Sequence, residues 1–123
     1  MLKHLNHKGI MAILPDQQSK SGQGVFADFM GQPAYTMTLF SKIAQKTKAP
    51  VILAVAERQS DGFIIHFKKA NDRIYGDMSQ SVVTLNQDIA KLVSLNPAQY
   101  QWTYKRFSIQ PNGSNPYQVH EDK

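Results

Sequence analysis

The chain has 123 residues, no cysteine and a formal charge of +5, from 14 Lys and Arg against 9 Asp and Glu. That length holds one domain or part of one, and the missing cysteine excludes disulfides, thiolate metal sites and a Cys nucleophile, fitting a reducing compartment with the cytoplasm as default. A hydrophobic content of 41% excludes a disordered or fibrous class, and the positive balance favours anionic partners such as phospholipid surfaces, phosphorylated glycolipids or acidic carrier proteins.

Nucleic acid is not expected, because the basic residues are scattered and no nucleic-acid motif accompanies them. The opening MLKHLNHKGI carries charges but no apolar h-region. No apolar run approaches the roughly 18 to 20 residues that span a bilayer.

In chain order, Leu2 and Leu5 stand three apart among basic groups, as in the last turn of an amphipathic helix that stops at Gly9. One turn at a free terminus does not stabilise itself, so the expectation is that something preceded it. Ile10 to Leu14 is an unbroken apolar run ending at Pro15-Asp16-Gln17-Gln18 and reads as a strand buried on both faces, of the kind found in parallel sheets. In open α/β sheets the ligand crevice lies beyond the carboxyl ends of the strands, which makes Asp16 the first candidate site residue. Ser19 to Gly24 is turn-forming, Val25 to Phe29 is a short apolar piece, and Gly31-Gln32-Pro33 breaks the chain.

From about Ala34 to Lys46 the apolar positions Met37, Phe40, Ile43 and Ala44 follow helical spacing, with Thr38 and Ser41 facing away and Lys46 and Lys48 at the carboxyl end. Ala49-Pro50 launches Val51 to Ala56, a second buried parallel strand that completes a crossover unit and closes with Glu57-Arg58. Gln59-Ser60-Asp61-Gly62 reads as a tight turn into Phe63 to Phe67, an antiparallel edge strand. After the loop Asn71 to Gly76, Asp77 and Gln80 resemble a capping box opening a helix whose buried face is Val82, Leu85, Ile89, Leu92 and Val93. Asn96-Pro97 interrupts it, Ala98 to Phe107 reads as an aromatic-rich helix, and 108–123 has the composition of a flexible tail. The predicted architecture is α/β: a mixed, mainly parallel sheet of about three strands flanked by helices.

Chemistry-bearing residues are few. An acid after a proline also serves as an N-cap or loop former, and spacing alone favours that role for Asp16. Its position raises it, since Gln17, Gln18 and Lys20 offer hydrogen-bond donors and a cation for a phosphate or sugar. Glu57-Arg58 would lie on the same side of a parallel sheet as Asp16, with a strand-end ion pair as the plain alternative.

No histidine carries an acid at the fifth following position, where a general base finds its orienting carboxylate: Gly9, Ala12 and Asn71 follow His4, His7 and His66, and nothing follows His120 at that distance. His66 reads as a structural or outward-facing strand residue. His4 and His7, three apart, have no carboxylate or thiolate neighbour and make a poor metal site. Trp102, Tyr104, Lys105 and Arg106 read either as a lipid-facing cluster or, for the aromatics, as packing on the sheet. Neither a Gly-x-Ser-x-Gly nor a Gly-x-x-x-x-Gly-Lys signature occurs.

The segments ILPDQQ...GVFADFMGQPAYTMT, APVILAVAER...DG and LNQDI...NPAQYQWTYKRF, taken in order over most of residues 9 to 107, resemble the carboxyl-terminal half of the lauroyl and myristoyl transferases of lipid A biosynthesis. The resemblance implies a glycerolipid-acyltransferase-like fold, incomplete here, with 1–107 as part of one domain. It also implies a membrane-peripheral enzyme at the cytoplasmic face of the inner membrane. Such an enzyme moves a fatty acyl chain from acyl carrier protein to a hydroxyl of a Kdo-bearing lipid A precursor, with no cofactor or metal.

In that family the catalytic dyad is His-x-x-x-x-Asp/Glu, with an arginine motif after it, and both are missing here. Asp16 matches the family's functional acid in a supporting role, Gln17 stands beside it, and Lys20 or Arg58 would face phosphate. The isolated chain is therefore expected to be inactive. An unpaired sheet edge makes a homo-oligomer plausible. Rival expectations are acyl transfer to another glycolipid, such as a mannosylated phosphoinositide, and a non-catalytic module that binds anionic glycolipid or carrier protein.

Overall fold

A computed structural model describes residues 2–118, so His120 lies outside the described residues. The elements in order are α1 (Leu2–Asn6), β1 (Gly24–Phe29), β2 (Gln32–Met37), α2 (Leu39–Thr47), β3 (Ile52–Gln59), β4 (Gly62–Lys69) and α3 (Met78–Val93), with 3₁₀ turns at Asp72–Tyr75 and Pro97–Gln99. The strands form two separate antiparallel hairpins, β1 with β2 and β3 with β4.

The predicted mainly parallel sheet is thus corrected, and the physical reason is local. Two-residue turns close both hairpins at little loop entropy, whereas a parallel pair needs a long crossover and a partner strand. Residues 10–14 have no ladder partner among the described residues and form no strand. Ile10 is 90% exposed and Leu14 69%, so the run expected to be buried on both faces is open to solvent.

Three further expectations change. Residues 34–37, assigned to a helix by their spacing, join β2, and α2 begins only at Leu39. Ser41, expected to face away, is fully buried beside Ser81 Oγ at 2.8 Å. The aromatic helix over 98–107 is one 3₁₀ turn followed by irregular turns. The run expected as a strand over Val51 to Ala56 does become one, as Ile52–Gln59, with its hairpin turn at Ser60-Asp61 as predicted, but it pairs antiparallel and buries one face only.

Helix α3 organises the rest. Asp77 accepts a hydrogen bond from the Gln80 amide at 2.9 Å, which satisfies one of the free donors at the helix start. The predicted apolar face is buried throughout: Val82, Leu85, Ile89, Leu92 and Val93. Phe29 and Ala34 from the first hairpin, Leu53 and Ala70 at the base of the second, and Ile74 from the 3₁₀ turn complete this core. Burial of each large apolar side chain contributes roughly 1.5–3 kcal/mol.

Among the described residues the side-chain polar atoms that enter the core are partnered, except Arg106 Nε, which is buried without a hydrogen bond. Asp88 accepts from the Asn71 amide at 2.8 Å and from Lys91 Nζ at 3.2 Å, and Ser81 Oγ donates to the Ile74 carbonyl at 2.6 Å. No helix among the described residues is long and apolar enough to cross a membrane.

Candidate functional site

Asp16 lies in an irregular loop held by a second irregular segment far along the chain. Arg106 Nη1 donates to the Asp16 carbonyl, the Gln18 amide donates to Tyr104 Oη at 3.0 Å, and the Ile109 amide donates to Gln18 Oε1 at 3.1 Å. Gln18 also bridges to Thr36 on the edge of β2. The loop 16–18 is therefore fastened on one side to the 104–109 segment and on the other to a hairpin.

Between these segments a recess of about 150 Å³ is lined by Leu14, Asp16, Gln17, Tyr100, Gln101 and Tyr104. A carboxylate, two amides and two phenols facing so small an opening suit hydrogen bonding to hydroxyls, the contacts a sugar offers. The recess lining contains no His, Ser or Cys, and so holds no imidazole base and no serine or cysteine nucleophile.

Behind the recess sits Arg106, only 2% exposed. Its guanidinium lies over the Phe29 ring, 4.6 Å from the centroid, and Nη2 donates to Asn86 Oδ1 at 3.1 Å. Asn86 Nδ2 in turn donates to Thr36 Oγ1 at 2.9 Å, so one polar chain runs from the Asp16 loop through α3 to β2. Burial pushes the Arg106 guanidinium below its ordinary value, against the opposing pull of Tyr100 and Asp16. Burial pushes the Tyr100 phenol up, and nearby Arg106 opposes that rise. Tyr100 packs on Phe29 at 6.0 Å between ring centroids and edge-on to Trp102 at 4.8 Å.

Of the candidate residues, the structure brings Asp16 and Gln17 together at the recess and leaves Lys20 and Arg58 outside its lining. Lys20 is exposed in the turn before β1. Arg58 was expected at the carboxyl end of a parallel strand; it lies within the antiparallel ladder, opposite Phe63. Its backbone is nonetheless tied to the segment that forms the recess, since its amide donates to Gln99 Oε1 at 2.7 Å and its carbonyl accepts from Gln99 Nε2 at 2.8 Å. Trp102 and Tyr104 are partly exposed, whereas Arg106 is a core residue and no part of a surface cluster.

Glu57 does not pair with Arg58. Its Oε2 lies 2.8 Å from His66 Nε2 across the hairpin, and its Oε1 accepts from Asn96 Nδ2 at 3.2 Å. The His66 hydrogen bond, then that of Asn96, holds the Glu57 carboxyl below its ordinary value. A histidine–carboxylate pair is thus present without the five-residue spacing. It was readable from the hairpin register, which sets Glu57 opposite Ile64 and Val55 opposite His66, placing both side chains on one face. It ties β3–β4 to the end of α3 and does not line the recess. Tyr104, Arg106 and Asn86 carried no signal of comparable range, because their partners are distant in sequence.

Comparison with known proteins places this geometry in context. The family model described as bacterial lipid A biosynthesis acyltransferase matches residues 1–108. A lipid A biosynthesis acyltransferase of Haemophilus influenzae is 26% identical over 118 residues, covering 94% of this chain. The chain spans 37% of that relative's length.

Proposed function

Because the chain belongs to the bacterial lipid A biosynthesis acyltransferase family, we propose that it forms the acceptor-side wall of a transferase acting between acyl carrier protein and a hydroxyl of a Kdo-bearing lipid A precursor. The reaction joins the acceptor oxygen to the thioester carbonyl carbon, breaks the carbon–sulfur bond, and passes the hydroxyl proton to a base while the thiolate leaves. The observation that carries the reading is the Asp16 recess. Its carboxylate and amides are placed to accept from and donate to sugar hydroxyls, and a buried guanidinium fixes its floor.

In this reading Asp16 orients the acceptor and Gln17 supplies a second polar contact. Lys20 and Arg58, exposed and outside the recess, meet phosphate groups of the acceptor or of an anionic membrane surface at the cytoplasmic face of the inner membrane. The base is a histidine of the His-x-x-x-x-Asp/Glu type, which this chain lacks, and the isolated chain is therefore inactive. A chromatographic assay with acylated carrier protein and lipid A precursor tests this. The chain alone is expected to give no product, and a chain joined to an upstream half containing that dyad is expected to turn over, with Asp16→Asn lowering the rate at least tenfold. Turnover by the isolated chain defeats the proposal. Vesicle binding without turnover by the joined chain would favour a non-catalytic glycolipid-binding module.

A further inference from the structure

Beyond residue 108, where the family match ends, the chain folds back through two proline turns. Gln110-Pro111-Asn112-Gly113 closes with the Gly113 amide donating to the Gln110 carbonyl at 3.0 Å, and Gly113 takes a left-handed conformation, φ 76°, that glycine adopts without strain. Asn115-Pro116-Tyr117-Gln118 closes in the same way, from the Gln118 amide to the Asn115 carbonyl at 3.1 Å, while Asn115 Oδ1 accepts from the Tyr117 amide at 3.0 Å. Short turns of this kind orient their side chains at little loop entropy. Two further bonds seat the segment: Gln110 Nε2 donates to the Pro33 carbonyl at 3.3 Å, and the Phe107 amide donates to Tyr117 Oη at 3.3 Å.

There the segment forms a cavity of about 350 Å³ lined by Gln32, Phe107, Gln110, Ser114, Pro116 and Tyr117. It shares no lining residue with the Asp16 recess, although one stretch of chain serves both, Tyr104 lining the recess and Phe107 the cavity. In a chain of charge +5 this lining holds no acid, Lys, Arg or His, so it offers nothing to pair the charge of a phosphate or a carboxylate. A bare acyl chain suits it no better. Such a chain would strip water from two amides, a hydroxyl and a phenol without replacing their hydrogen bonds.

The polar side chains are held at one valence and open at another. Gln110 Nε2 is engaged by the Pro33 and Phe107 carbonyls, at 3.3 and 2.9 Å, which leaves Oε1 to accept. Tyr117 Oη accepts from the Phe107 amide, which leaves its own proton to donate. Ser114 Oγ donates to Asn112 Oδ1 at 2.7 Å, which leaves its lone pairs to accept. Beside these stand the apolar surfaces of Phe107 and Pro116. Hydroxyls around an edge and carbon on a face are what a pyranose presents. The cavity volume lies near the lower limit of the ~300–1,000 Å³ of small-molecule sites, room for one ring.

We propose that this cavity binds one uncharged pyranose ring, its C–H face against Phe107 and Pro116 and its hydroxyls on Gln110, Ser114 and Tyr117. Binding alone reads the site, so it stands or falls apart from the acyl transfer proposed above. Methyl glucoside, titrated at millimolar concentration into the whole isotope-labelled chain, tests it by NMR. Saturable shifts are expected at the amides of Phe107, Gln110, Ser114 and Tyr117, while Gln17 and Gln101 report the Asp16 recess separately. Tyr117→Phe keeps the ring, removes the donor and weakens binding about three- to tenfold.

If that variant loosens the segment, Ser114→Ala at its exposed position decides, with a loss of the same size. Octyl glucoside below its micelle concentration separates two sources of the ring. An affinity equal to that of methyl glucoside supports the site as one for a free sugar, and a higher one supports it for the sugar of a glycolipid. The proposal is overturned by the absence of saturable shifts at the four amides, by shifts confined to the Asp16 recess, or by binding indifferent to both substitutions. Displacement of the sugar by hexanol or by inorganic phosphate overturns it as well, making the cavity an apolar or an anion site.

Discussion

Glu57 shows how one carboxylate binds three parts of the chain. It sits on β3, takes a hydrogen bond from His66 on β4 and another from Asn96 just beyond α3, so its charged form is favoured and its carboxyl titrates below the ordinary 4.5. A group whose folded value is depressed contributes stability in full above its unfolded value and loses it as the pH falls through the folded one. The tie between the second hairpin and α3 is therefore intact at neutral pH and released in acid, in a window below pH 4.5. His66→Gln keeps the side chain polar but removes the imidazole. Carbon-detected NMR titration should then show the Glu57 carboxyl moving up toward 4.5, with Asn96 still bonded. A Glu57 titration that does not change would mean that His66 is a bystander.

Among the elements, those readable from sequence are the ones whose signals are local. The start of α3 has a cap at Asp77 and its periodicity runs unbroken for four turns, so both its boundary and its buried face could be read directly. The β3–β4 hairpin announces itself through Ser60-Asp61 followed by glycine. The first hairpin does not, because its turn is Met30-Gly31. Both residues have positive φ, 54° and 85°, the geometry of a turn that favours Asn-Gly, and methionine masks it. With that turn unseen, Met37, Phe40, Ile43 and Ala44 kept a helical spacing that extends falsely back into β2.

The same strain gives a prediction. Met30 is 44% exposed and carries an L side chain in the left-handed region, so Met30→Asn should raise the unfolding free energy by about 0.5–1 kcal/mol. Urea denaturation measures it directly. No gain, or a loss, would show that the methionine side chain contributes packing that the turn geometry conceals.

At the scale of the whole molecule, the site was half legible. Asp16 and Gln17 were marked by the Pro-Asp-Gln-Gln sequence, and they do share a recess, but the strand expected to carry them does not exist. A run of five apolar residues specifies burial only when a partner strand is present to take its backbone groups. What positions the loop in place of a strand is a set of links spanning 86 and 90 residues, from Gln18 to Tyr104 and from Asp16 to Arg106. Links of that span leave no trace in local pattern.

They also separate the stability of the site from that of the core. Tyr104→Phe removes the acceptor of the Gln18 amide and leaves Phe29, Asn86 and the α3 face untouched. Loss of one such bond at a partly exposed position is worth about 1 kcal/mol, enough to open the loop several-fold more often. In hydrogen exchange the Gln18 amide should then exchange about five- to tenfold faster, while Leu85 and Ile89, buried in the core, keep their rates. A uniform rise that includes Leu85 would make the 104–109 segment part of the core's own stability. An unchanged Gln18 would leave the fastening of the Asp16 loop to Arg106, the Ile109–Gln18 hydrogen bond and the Gln18–Thr36 bridge.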